Sequence, residues 1–403
     1  MNYSFPLVAE GISNLEIDLL IQVVKSGNLT MGKRVETFEE KFAQVMHVRN
    51  AIMVNSGSSA NLLALESLVR SSSNSLFKSG HENRYIAVPS VLWPTTIWPI
   101  IQLGFRALII DVLPNSLEMD LNALKRAKKQ LGEKLAGAFI IHPLGKSVEL
   151  SEIIDHYSQD ELFVIEDTCE SLGARNKNGL AGTSGIAGTY SFYYSHHITT
   201  IEGGMVVTNN DELADDLRSM RAHGWTRNRR DKNRWNSDFG SHEEDFIFVT
   251  SGFNFRPMEI QGALGLSQLN QLDQFIARRQ VLASRVASAV QNCEGISLID
   301  SACARYTELR ETHSWMSFPF LIDDIENRRK ILEHFNNFGI QTRPILSGNF
   351  FQQVAAKNKK IKVYEDVLNA KKIHQHGFMI GNHHSLSDNQ VQVLIDCIES
   401  IHT

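Results

Sequence analysis

The sequence predicts an α/β protein. A large domain over residues 1–260, with N-terminal helices and a mostly parallel central sheet flanked by helices, is followed by a smaller α+β domain over residues 261–403 that opens on a long connecting helix. Three observations carry this. Short apolar, β-branched runs alternate with segments of helical periodicity from residue 51 to residue 223. At 403 residues the chain exceeds what one core usually organises. Beyond residue 284 strands and helices mix without that alternation.

Composition narrows the function. A hydrophobic fraction of 42% is ordinary for a globular protein. A net charge of -5 argues against bulk nucleic-acid binding, which needs a basic footprint. No apolar run is long enough to span a bilayer, and the first residues show no signal-peptide pattern, so no membrane partner and a cytoplasmic location are expected. Cys169, Cys293, Cys303 and Cys397 are scattered, which suggests neither zinc nor a disulfide framework; an iron–sulfur centre held by all four is the alternative, disfavoured by the irregular spacing.

Residues 14–25 and 35–45 have apolar residues at helical spacing, the first ending before Gly27. Ala51–Asn55 reads as a buried strand that runs into Ser56-Gly57-Ser58-Ser59 and then a helix. Strand, small polar residues and a helix N-terminus together favour an anion, because N–H groups are free and glycine allows close approach; a plain serine cap is the alternative. Residues 71–83 read as a polar loop and 85–90 as a strand. Trp93-Pro94 opens the next helix at a strand–helix junction, where a tryptophan can stack on a flat ring or simply fill the core.

Residues 107–111, 136–143 and 162–167 read as strands, and 121–131 and 150–156 as helices. Asp167 ends its strand where open α/β sheets bind ligands. It and Glu170 are candidates for acid–base or ring-partner roles, with helix capping as the alternative. Residues 189–194 form a strand that breaks at His196-His197, passes Glu202-Gly203-Gly204 and re-enters a strand at 205–208. Two histidines there are candidates for proton transfer or merely polar residues at a strand end. Residues 225–246 form a long polar loop with a basic cluster at 227–234. A helix from Glu259 is expected to run on past Arg278.

These motifs resemble the DegT/DnrJ/EryC1/StrS sugar aminotransferase family, which are fold-type I pyridoxal-phosphate enzymes. The resemblance rests on Leu29-Thr-Met-Gly32, Val54-Asn-Ser-Gly-Ser-Ser-Ala-Asn61, Pro89-Ser-Val-Leu-Trp-Pro-Thr95, Glu166-Asp-Thr-Cys-Glu-Ser-Leu-Gly-Ala174, the Ser191-Phe to Gly204 stretch and Gly252-Phe-Asn-Phe-Arg256. It implies that Gly57, Ser58 and Ser191 hold the cofactor phosphate, that Trp93 stacks on the pyridine ring, that Asp167 pairs with the ring N–H and that Glu170 lies near the ring hydroxyl. It also implies a homodimer with shared active sites, Asn254 reaching the neighbouring subunit's phosphate.

One departure matters most. Five residues after Ser191, where the family's aminotransferases carry a lysine, this chain has His196. Imidazole has no primary amine and forms no Schiff base, but it suits general acid–base work. A histidine here, followed by His197-Ile-Thr, resembles the family's nucleotide-sugar 3-dehydratases. The four cysteines do not resemble the iron–sulfur motif of the CDP-sugar type, which favours the GDP-sugar type. This implies non-covalent pyridoxal or pyridoxamine 5'-phosphate, a nucleotide-diphosphate 4-keto-6-deoxy sugar, glutamate as amino donor and a role in dideoxysugar and lipopolysaccharide O-antigen synthesis. His196 would be the catalytic base, with Arg343 and His197 as substrate contacts. An aminotransferase and a non-catalytic cofactor-binding protein are the alternatives.

Overall fold

The computed structural model describes residues 3–8, 11–70, 81–235 and 246–401. Parts of the polar loops expected at 71–83 and 225–246 lie outside them. Helix α1 (Asn14–Lys25) begins with a reciprocal cap in which Ser13 and Glu16 each accept the other's backbone N–H. Helix α2 (Lys33–Val45) has Gly32 at its N-cap and no capping side chain of its own. Its orphan donors are met by Glu259, whose carboxylate accepts from the N–H groups of Gly32 (2.9 Å), Arg34 (3.0 Å) and Val35 (3.1 Å).

The large domain then alternates as expected: β1 (Asn50–Val54), α3 (Gly57–Arg70), β2 (Tyr85–Pro89), α4 (Pro94–Gln102), β3 (Arg106–Ile110), α5 (Leu121–Leu131), β4 (Leu135–Ile141), the short α6 (Ser151–Ile154) and β5 (Phe163–Asp167). A small hairpin, β6 (Arg175–Asn176) and β7 (Gly179–Leu180), precedes β8 (Ala187–Ser191), β9 (Gly204–Thr208) and α7 (Asp211–Met220). The sheet order is β1-β9-β8-β5-β4-β2-β3, with β9 antiparallel to both neighbours and the other pairs parallel. Strands β1, β2, β4 and β5 are buried along their whole length, as a sheet covered on both faces requires. One core packs α3, α4 and α7 on the sheet, and another packs α5 on the opposite face.

Three expectations need correction. The strand expected through Tyr194 ends at Ser191, where the chain turns. The helix expected from residue 60 already starts at Gly57, so Gly57 and Ser58 belong to its first turn. The connecting helix is two: α8 (Glu259–Leu269) and α9 (Leu272–Gln291). The chain bends at Asn270-Gln271, where Gln271 N–H bonds back to Gln268 O, and asparagine is a weak helix former. The bend serves two packing partners, since α8 lies on α1 and α2 while α9 lies on the C-terminal helix.

The C-terminal region has its own antiparallel sheet, β10 (Ile296–Leu298), β11 (Ser317–Ile322) and β13 (Gly377–Gly381), in that order. Helices α10 (Ser301–Arg305), α11 (Arg328–Asn337), α12 (Leu368–His376) and α13 (Asp388–Glu399) accompany it. Two segments cross the 260/261 division. β12 (Ile361–Val363) adds to the large sheet, parallel to β3, and Phe5 bridges to Ile340 within the small core.

Glu259→Ala should leave three N–H groups of the α2 start without their carboxylate. A loss of about 2–3 kcal/mol, the scale of bonds to a charged group, should appear as a lower denaturant midpoint.

Candidate active site

The C-terminal ends of β2, β4, β5 and β8 and the start of α3 enclose a cavity of about 380 Å³, with Met316, Arg343 and Met379 of the C-terminal region closing it. On its floor, Gly57 begins α3 beneath the end of β8. A Cβ there would lie 2.5 Å from Ser191 Cβ and 3.0 Å from Cys169 Sγ, so only glycine allows this approach. The N–H groups of Gly57 and Ser58 take no acceptor among the described hydrogen bonds; Ser56 accepts from Ser59 and Ala60 instead. Free helix donors beside the Ser191 hydroxyl make an anion cradle of phosphate chemistry.

Asp167 closes β5, buried. Its Oδ2 accepts from Asn61 Nδ2 (2.8 Å) and Thr96 Oγ1 (2.7 Å), and its Oδ1 from Cys169 N–H (3.2 Å). Asn61 is held in turn by Thr189, which donates to its Oδ1 at 2.6 Å. The preceding residue, Glu166, leaves the opposite face of the sheet. It accepts from Gly182, Ser184 and Gly185 N–H and from His142 Nε2 at 2.8 Å. His142 Nδ1 accepts from Val148 N–H, which makes Nε2 the donor. Burial alone would raise the Glu166 carboxyl, but His142 and the backbone donors hold it below the ordinary value.

Glu170 lines the cavity and accepts from Leu144 N–H at 3.1 Å. Leu144 sits at φ 47°, a conformation unusual for a branched side chain, within the turn that aims this donor. Burial, with Asp167 adding to it, pushes the Glu170 carboxyl up to about 7. Trp93 caps α4 at the mouth, half exposed, with the Arg343 guanidinium 5.7 Å from its ring centroid. Arg343 is fixed by a backbone pair with Met379 on β13.

His196 follows the β8 turn. Its N–H bonds to Tyr193 O, its ring meets Tyr193 edge-on, and its Nδ1 is buried without a hydrogen-bond partner. Burial, helped by the charge of Arg279, pushes its pKa down to about 4, so the ring is neutral and able to accept a proton near pH 7. No lysine lines the cavity among the described residues.

The cavity thus gathers Gly57, Ser58, Trp93, Asp167, Glu170, Ser191, His196 and Arg343. His197 stands apart. It turns away from its neighbour, buried, with Nε2 3.2 Å from Ser314 O, and does not line the cavity. Asn254 is exposed and lines a different cavity, with Trp225, Arg227 and Arg256. Sequence reasoning missed Asn61 and Thr96. An amide directly before the apolar run Leu62-Leu-Ala-Leu65 of α3 is the available signal, since a polar group drawn into a core needs a reason. A larger cavity of about 740 Å³ lies between α2 and the 227–232 segment, but Arg221 and Arg229 there are engaged by Glu39 and by Asp216 and Asp231. Among the described residues no group of side chains could hold a metal ion, and no helix is long and apolar enough to cross a membrane.

A large mostly parallel sheet with an anion cradle and a buried carboxylate at its strand ends defines a class, and the chain belongs to the DegT/DnrJ/EryC1/StrS aminotransferase family, whose model matches residues 11–399. It is 36% identical over 386 residues to GDP-4-keto-6-deoxy-D-mannose 3-dehydratase of Escherichia coli O55:H7, covering 94% of this chain and 95% of that one. Two solved structures of such dehydratases are 33% identical and cover 98% of this chain and all of theirs. One holds a trapped PLP-glutamate geminal diamine (TM-score 0.88), and the other is a histidine-to-asparagine mutant with bound GDP-perosamine (TM-score 0.87).

A carboxyl raised in the folded state favours folding at low pH. That advantage is lost as pH climbs from the ordinary 4.5 of a glutamate through about 7. Glu170→Gln, neutral throughout, should therefore match the ligand-free parent below pH 4 and exceed its thermal midpoint increasingly up to pH 8.

Proposed function

We propose that the protein is a pyridoxal/pyridoxamine 5'-phosphate-dependent 3-dehydratase that removes the C3 hydroxyl of a GDP-linked 4-keto-6-deoxy sugar, in 3,6-dideoxysugar biosynthesis. The observation that carries this reading is an imidazole, and no lysine among the described residues, beside a buried carboxylate and an anion cradle.

The residues fit such a cofactor. The Gly57 cradle would be filled by any Cβ, and the half-exposed Trp93 ring offers a stacking face at the mouth. Gly57, Ser58 and Ser191 would hold the phosphate, Trp93 the ring face and Asp167 the ring N–H. When bound, the cofactor supplies a primary amine and an electron sink. Asp167, held by three donors, would face the ring nitrogen, where a carboxylate partner favours the protonated ring. His196 accepts a proton from carbon and can return it to the departing hydroxyl oxygen, a role for which a neutral ring is the required starting state. The imidazole leaves the amine form of the cofactor untethered and offers no competing amine. Arg343 supplies a cation at the mouth for the substrate. The PLP-glutamate adduct and GDP-perosamine held by the relatives support glutamate as amino donor and GDP as the nucleotide.

The exposed position of Asn254, outside its own subunit's cavity, supports a homodimer in which it reaches the partner's phosphate.

His196→Asn should keep cofactor binding, read from the visible spectrum, and lose deoxygenation by at least about a hundredfold, the lower bound for general acid–base catalysis. Mass spectrometry of GDP- and CDP-linked 4-keto-6-deoxy sugars incubated with glutamate checks this. Loss of one oxygen supports the dehydratase; gain of nitrogen with oxygen retained at C3 would sink it. For the shared site, inactive His196→Asn and Asn254→Ala proteins should regain activity when mixed and reassociated. Mixing without recovery would place Asn254 outside the partner's site.

A further inference from the structure

Arg279, on α9, has no exposed surface and no carboxylate at ion-pair distance among the described residues; burial is the one influence acting on its own ionisation. Burial pushes it down to about 9, which leaves it charged near pH 7. A buried cation without a counter-anion is costly, so a residue kept in that state calls for a reason. Its bonds supply one. The guanidinium reaches three backbone carbonyls from three segments: Nη2 to His196 O (3.3 Å), Nη1 to Met316 O (3.2 Å), and Nη1 to Asn382 O. Its Nε has no hydrogen-bond partner among the described residues. Asn382 completes the clamp by donating to Arg279 O and Trp315 O. The segment carrying the imidazole is thereby tied through α9 to the strand ends of the C-terminal sheet.

The surroundings are equally specific. Four histidines face this charge, His196 and His197 from the β8–β9 connection and His383 and His384 from the end of β13; each is disfavoured as a cation first by burial and then by Arg279. The acidic group acting on this cluster is Glu16 of α1, and it acts on His384. His313 adds a further repulsive influence on His197. Around His196 itself the cavity presents Asp167, Cys169, Glu170, Tyr193, Glu202 and Arg343; of these the Tyr193 backbone, as a hydrogen-bond partner, acts to raise the pKa of the ring and partly offsets burial and Arg279.

We propose that Arg279 is a positioning residue for the reaction: its buried guanidinium, anchored on the His196, Met316 and Asn382 carbonyls, holds the segment that carries the imidazole against the C-terminal sheet and sets a fixed positive charge beside that ring. This rests on His196 being the base. The guanidinium touches no reacting atom and acts through the histidine alone. A lysine at the same place would keep the charge but lose the simultaneous reach to three carbonyls.

The test is an NMR titration of histidine-labelled full-length protein, with the His196 signal assigned by its absence in His196→Asn. In the parent the ring should remain neutral down to at least pH 5. In Arg279→Met its midpoint should rise by about one unit or more toward the ordinary 6.5, and the acid limb of kcat/KM for deoxygenation should move in the same direction. Arg279→Lys should restore the low midpoint while kcat stays reduced. A parent ring that titrates near 6.5, or a midpoint unchanged in folded Arg279→Met, would overturn the proposal. If Arg279→Met does not fold, the parent titration and the lysine variant decide the matter. The readout needs no turnover, so a failed base assignment (His196→Asn still deoxygenating) is distinguishable from a failed coupling between the two residues.

Discussion

Two consecutive carboxylates at the end of β5 impose the order on which the site depends. Side chains alternate across a strand, so Glu166 and Asp167 leave the sheet on opposite faces, and both are buried. Neither face can tolerate such a charge without donors. On one side the chain after β7 curls its backbone N–H groups around Glu166, and His142 joins from the end of β4. That same region of β4 leads into the turn whose Leu144 N–H meets Glu170. On the other side α3 and α4 each send one polar side chain, Asn61 and Thr96, to Asp167. The relative placement of four elements around the cavity follows from satisfying two charges.

The contrast between Asp167 and Glu170 shows how environment divides labour. Asp167 has three donors, two from side chains and one from backbone. Glu170 has one described donor, and burial raises it. Burial leaves Glu170 free to carry a proton near neutrality, while Asp167 is the better supplied with donors. His196 and Arg343 complete the set of polar groups around one cavity.

Much of this was legible in the chain. The strand–helix alternation, the carboxylates at the end of residues 162–167 and the departure at His196 all lie in local sequence. What escaped depends on contacts between distant segments. Asn61 and Thr96 look like ordinary helix residues until β5 is placed beside them. Glu259 reads as a helix start, yet its carboxylate serves the first turn of α2. Arg279 stands out in no way on a helix expected only to run on past Arg278, yet it is enclosed by both sheets' connections. His196 and His197 are indistinguishable by type, and only the turn after β8 sends one to the cavity and the other to Ser314.

The Asp167 carboxylate has a consequence beyond the bonds it accepts. A carboxamide is nearly symmetric in shape and could rotate by half a turn, and the Thr189 hydroxyl could serve either end of it. A carboxylate only accepts, so Asn61 must turn its hydrogens toward Asp167, and Thr189 follows by donating to the oxygen left behind. The chain of dipoles therefore runs one way, from the interior of the sheet toward the anion, and the polarity of the cavity floor is dictated by the group that uses it.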